Sequence, residues 1–69
     1  MNELVIRLRR FKSRDTLEAV APRMQNKAAA LGQEEELAVI AAIDHRRAEI
    51  AARRLYDPGK VPAAVWALL

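Results

Sequence analysis

The side chains with the greatest chemical potential lie in "AAIDHRRAEIAARRLYD", residues 41–57. Asp44 and His45 stand side by side there, a pairing that elsewhere serves acid–base catalysis or metal binding. Neighbours on a helix point about 100° apart, so the two do not converge on one atom. The chain has one histidine and no cysteine, so nothing completes a coordination shell around them. It also has no phosphate-cradling glycine loop and no serine nucleophile in a recognisable setting. The residue types point away from an enzyme, a metal, a cofactor or a small-molecule substrate.

The chemistry that remains is electrostatic. On a helical wheel Leu37, Ala41, Ala48, Ala51 and Leu55 form an apolar stripe, with Asp44 near its middle. A carboxylate left uncompensated there costs several kcal/mol by usual estimates. Arg47, one turn on, can pair with it internally; alternatively the stripe is an interface awaiting a partner's arginine or lysine. Asp15 and Glu18, on the preceding helix, reach the same side if the two helices pack antiparallel. The three acids then form a docking patch for a cationic helix.

The opposite charge gathers near the start of the chain. Arg7, Arg9, Arg10, Lys12 and Arg14 are five bases uninterrupted by an acid. Arg7, Arg10 and Arg14 share one helical face, while Arg9 points elsewhere. The segment offers little that discriminates base edges, so any contact with DNA is to phosphates, without sequence preference. Glu34, Glu35 and Glu36 suit the positive end of a helix dipole, and Trp66 is expected in the core.

Four helical stretches must position these groups, which makes the expected fold class all-α, a bundle with one long third helix. Residues 3–10 form the first helix, with Asn2 as its cap and Leu4, Leu8 and Phe11 on one face. Ser13 or Asp15 can cap the second, where "DTLE" reads as a capping box. Pro22 is expected to break or kink it, with "PRMQNKAAAL" continuing as helix and Gly32 stopping it. The third helix is expected over residues 34–56, with Arg53 and Arg54 at its negative end and "YDPG" closing it as a type II turn. Pro62 opens a last short helix whose Val65, Trp66 and Leu69 fold back on the long one.

Sixty-nine residues allow a single domain, residues 1–69, near the lower limit for a self-contained core. The net charge is +3 and the pI about 10.0, compatible with a polyanionic partner or with ordinary solubility. No cysteine means no disulfide, which fits a reducing compartment. The apolar run in "MNELVIRLRRFK" is short for a signal peptide, and no stretch reaches the roughly 18 residues that span a bilayer. A soluble, cytoplasmic protein is expected.

In chain order, "IRLRR", "DTLE", "ELAV", "DHRRAE", "LYD" and "VPAAVW" together resemble the Hha/YmoA family of small bacterial nucleoid-associated modulators, over about residues 4–66. The resemblance implies a bundle of about four helices that binds the N-terminal dimerisation region of H-NS or an H-NS paralogue. It also implies gene silencing at the nucleoid, often of horizontally acquired or virulence-related genes. Family acids that grip H-NS arginines match Asp15, Glu18 and Asp44. The family's basic segment, which adds positive charge to the DNA-bound complex, matches Arg7, Arg9 and Arg10. This chain departs from the family pattern with Phe11 in place of a usual cysteine, with Pro22, with extra residues before "ELAV" and with "PG" after Tyr56-Asp57. The alternative is a stand-alone helical protein that binds DNA without sequence preference.

Overall fold

The computed structural model describes residues 3–57 and 59–68. Four helices follow one another: α1 (Glu3–Leu8), α2 (Arg14–Ala29), α3 (Gln33–Ala52) and α4 (Ala63–Trp66). The expected all-α class with a long third helix is what the chain adopts, and no described residue is in a strand. The caps expected at Asn2 and the contact expected from Leu69 lie outside the described residues.

Ser13 starts α2. Its backbone is extended (φ −117°, ψ 153°), and its hydroxyl accepts from the Thr16 amide at 3.2 Å. Asp15 is therefore a first-turn residue, and "DTLE" is not the capping box. Of the break or kink expected at Pro22, the break does not occur: α2 runs through it from Arg14 to Ala29. A proline inside a helix costs about 3 kcal/mol through one lost hydrogen bond and a steric clash. Here Leu17, Ala21 and Ala28 are buried on both sides of it, 0–4% exposed, and hold the helix against the core. Pro22 itself is exposed, on the side where water can serve the carbonyl it leaves unpaired.

Three residues then reverse the chain into a helical hairpin. The Leu31 amide reaches Ala28 O at 3.0 Å and the Gly32 amide reaches Ala29 O at 3.3 Å. Gly32 has φ 124°, a conformation open to glycine and strained for other residues. It opens α3 rather than closing α2, since its carbonyl accepts the Glu36 amide at 3.1 Å.

The buried face of α3 is not the expected one. Val39, Ala42, Ile43, Arg46 and Glu49 are turned inward, while Leu37 is 56% exposed, Leu55 64%, and Ala41 also faces solvent. Of the expected stripe only Ala48 is fully buried, with Ala51 half-buried. The true stripe carries two charges that satisfy each other, so hydropathy alone turns the helix the wrong way. Val5 and Leu8 of α1 and Leu17, Ala21 and Ala28 of α2 close over this face, with Leu4, Phe11, Met24 and Ile50 at its margins.

Both ends flanking this core are shorter than expected. Helix α1 unwinds after Leu8 into three-residue turns, Arg9 to Ile6 O and Phe11 to Leu8 O, which turn the Arg9 and Phe11 carbonyls towards Arg46. Helix α3 stops at Ala52, four residues before Tyr56, because Arg53 is left-handed (φ 56°, ψ 37°) and the Arg54 amide returns to Glu49 O at 3.1 Å. Beyond it, the Lys60 amide bonds Asp57 O at 2.9 Å and Gly59 has φ 79°, as the third position of a type II turn requires; Pro58 lies outside the described residues. Pro62 precedes α4, and Val65 is buried against the bundle. Trp66, expected in the core, is 42% exposed: in a helix of four residues one side chain reaches the core and its neighbour turns away.

Candidate functional site

The three acids singled out from the sequence come from two helices. Asp15 and Glu18 lie one turn apart on α2, and Asp44 lies on the facing part of α3. Arg47 joins the two helices. It donates to Asp44 Oδ1 at 2.7 Å through one terminal nitrogen, and to Glu18 Oε1 at 2.6 and 2.9 Å through the other terminal nitrogen and Nε. The expected antiparallel packing thus brings Glu18 and Asp44 onto one guanidinium. Glu18 first of all, then Asp44, holds Arg47 more firmly protonated than a free arginine, against the opposing effect of burial.

Asp44 is not buried in an apolar stripe. Its side chain is 44% exposed, that of Glu18 39%, and Arg47 lies partly beneath them. The expectation of an uncompensated carboxylate inside the stripe fails because the stripe is turned away and Arg47 provides the counter-charge. What remains is an accessible pair of acids, Glu18 and Asp44, on one guanidinium, and no contact among the described residues joins Asp15 to them. Arg14 stands only 3.8 Å from Glu18 Oε2, and Asp15 is exposed with no ion pair among the described residues. One guanidinium between two carboxylates leaves lone pairs directed at solvent, available to further donors.

The expected basic residues divide into two groups. Arg7 is exposed and, among the described residues, pairs only with Glu3, at 2.9 Å and open to water. Arg10 is exposed, its guanidinium 4.8 Å above the Phe11 ring, and Lys12 is exposed with no ion pair among the described residues. Arg9 behaves differently. It donates to Glu49 at 2.8 and 3.4 Å and to the Tyr56 carbonyl at 3.2 Å. Its guanidinium is tied into the fold, off the exposed basic surface of its neighbours.

Arg9 belongs to a second charged cluster that sequence reasoning missed. Glu49 has a side chain 0% exposed. It accepts from Arg46 at 3.0 Å, from Arg9 and from the Tyr56 amide at 2.9 Å. Arg46, itself buried, also donates to the Arg9 and Phe11 carbonyls. His45 Nε2 lies 2.8 Å from the Tyr56 carbonyl, which can only accept, so Nε2 carries a proton. Burial pushes the Glu49 carboxyl up, but the hydrogen bonds from Arg9, the Tyr56 amide and Arg46 together hold it below the usual range. The cluster ties the segment after α1, the C-terminal half of α3 and the segment after α3 together. Its signal in the sequence was Arg46 and Glu49, three apart and of opposite charge, in register with Val39 and Ile43.

No helix among the described residues is long and apolar enough to cross a membrane. The family model described as haemolysin expression modulating protein matches residues 6–67. No solved structure gives a significant match.

Proposed function

This chain belongs to the haemolysin expression modulating protein family, and we propose that it acts as a transcriptional co-modulator of an H-NS-like nucleoid protein. In this reading Asp15, Glu18 and Asp44 accept arginines from the partner's N-terminal dimerisation region. Arg7, Arg10 and Lys12, on the exposed start of the chain, add positive charge to the complex and neutralise DNA phosphates. Arg9 drops out of that set, since its guanidinium is tied to Glu49. The protein catalyses nothing here; it alters the charge and shape of a filament at the bacterial nucleoid.

The observation that supports this best is the Arg47 bridge. It holds two half-exposed carboxylates from different helices at fixed positions, with little ordering left to do when a cationic helix arrives. The resemblance in the blocks "DTLE" and "DHRRAE" supplies the kind of partner.

Titration of labelled protein with the H-NS N-terminal region at two salt concentrations tests the reading. Affinity should fall as salt rises, because the contact joins partly exposed charges. Affinity indifferent to salt contradicts it. A gel shift with the purified protein alone addresses the alternative, and tight DNA binding without H-NS favours a stand-alone DNA-binding protein.

A further inference from the structure

Leu4, Phe11 and Met24 pack against the core yet remain partly exposed beside α1 and α2. They floor a groove of about 620 Å3 whose other lining residues are Arg7, Arg10 and Lys27. No acid lines this groove among the described residues. An adjoining cleft of about 290 Å3 shares Leu4, Arg7, Met24 and Lys27 and runs on over Ala28 and Leu31 to Glu35. Leu31 is 73% exposed there. The combined groove therefore has Arg10 and Phe11 at one end, Arg7 and Lys27 where its two parts meet, an apolar floor and an acid in its further part.

We propose that this groove binds a single-chain amphipathic anion, its head group between Arg7, Arg10 and Lys27 and its hydrocarbon tail along Met24, Ala28 and Leu31. The cations are placed to accept it. Among the described residues Arg7 is held only by Glu3, in a pair exposed on both sides and weak for that reason. Arg10 lies over the Phe11 ring, which steadies the guanidinium without engaging its N–H groups. Lys27 is exposed and has no ion pair among the described residues. Met24 adapts to a flexible tail, and the volume falls in the usual range for small-molecule sites, about 300–1,000 Å3. Glu35 repels a head group from the far end, which sets the direction of the ligand. A nucleic-acid backbone matches the cations but has nothing to cover Leu31 and Met24. The amphiphile is a ligand and not a substrate, and it neutralises Arg7 and Arg10, two bases assigned above to DNA phosphates.

The test uses the full chain free of DNA and of protein partner, so its outcome is independent of the proposed function. Amide spectra are recorded with dodecanoate or dodecyl phosphate below the micelle concentration, and with methyl dodecanoate and acetate as tail-only and head-only probes. The expected result is saturable binding of one or both amphipathic anions, with shifts centred on Met24, Lys27 and Leu31. Tighter dodecanoate indicates a free fatty acid as the source, and tighter dodecyl phosphate a lipid-derived phosphate. Methyl dodecanoate and acetate should each bind at least about tenfold more weakly, and R10E/K27E should lose a similar factor while its circular dichroism is unchanged. Equal affinity for ester and anion, shifts centred on α4, or unchanged binding by R10E/K27E overturns the proposal. Binding of an acidic amphipathic peptide with neither anion bound overturns it as well.

Discussion

Two arginine–carboxylate clusters lie within one turn of each other on α3, built from the same residue types and doing opposite things. Around Glu49 the acid is wholly enclosed, two guanidinia and a backbone amide surround it, and every donor comes from this chain. Around Arg47 the arithmetic is reversed, with one guanidinium serving two acids that remain 39% and 44% exposed. In the first, two guanidinia converge on one buried acid; in the second, Arg47 bridges two half-exposed acids, with Arg14 at the longer distance of 3.8 Å from Glu18. A buried cluster that is satisfied internally has nothing to offer a partner. A half-exposed one with surplus acceptors does. Arg46 and Arg47 are neighbours in sequence, yet the 100° between them assigns one to the scaffold and the other to the surface.

The largest effect should come from the buried cluster. Glu49→Gln leaves Arg9 and Arg46 without their counter-charge, and breaking a buried pair this way costs about 3–5 kcal/mol. In a domain this small that is a large share of total stability. A urea melt should show the midpoint collapse, and an unchanged midpoint removes Glu49 from the scaffold.

Acid should act through the same group. The folded-state pKa of Glu49 lies below that of the unfolded chain, so its contribution is fully present above the ordinary glutamate value of about 4.3. That contribution is lost as pH falls through the depressed value in the fold. Thermal melts of the native chain should therefore decline below about pH 4–5, and a Glu49→Gln protein that still folds should decline less over that window. Parallel profiles point to other carboxylates.

At the Arg47 bridge the stability effects should be small. Arg47→Ala removes a partly exposed pair of contacts worth up to about 1 kcal/mol, and it frees Glu18 and Asp44 to repel each other. The melt should shift slightly while affinity for an H-NS-type partner changes more. A loss comparable to that of Glu49→Gln makes the two clusters equivalent and erases the comparison.

Much of the framework was legible from residue types. Ser13 as a cap, Gly59 in its turn and Pro62 before α4 are local chemistry, set by side-chain oxygens and backbone freedom, and they stand in the structure. So does the convergence of Glu18 and Asp44. What was illegible depends on tertiary satisfaction. Pro22 passes through α2 because buried neighbours on both sides outweigh a local penalty. The α3 face is misjudged because Arg46 and Glu49 count as polar until their partners are known. The early end of α3 follows from the same cluster, since Arg53 turns the chain so that the Tyr56 backbone can reach Glu49, His45 and Arg9. Arg9 looked like one more base in a basic run until its partner, forty residues away, was placed.

Asp44→Asn puts the most direct strain on the division of labour between the clusters. The variant keeps the size and most hydrogen bonds of the side chain but removes the charge, so its melt should match the native protein within about 1 kcal/mol. Titration with the H-NS N-terminal region should weaken by about 2–5 kcal/mol, much of it from the partner charge left unpaired. Undiminished binding, or a fold that collapses with the substitution, contradicts the assignment of this acidic face to a partner.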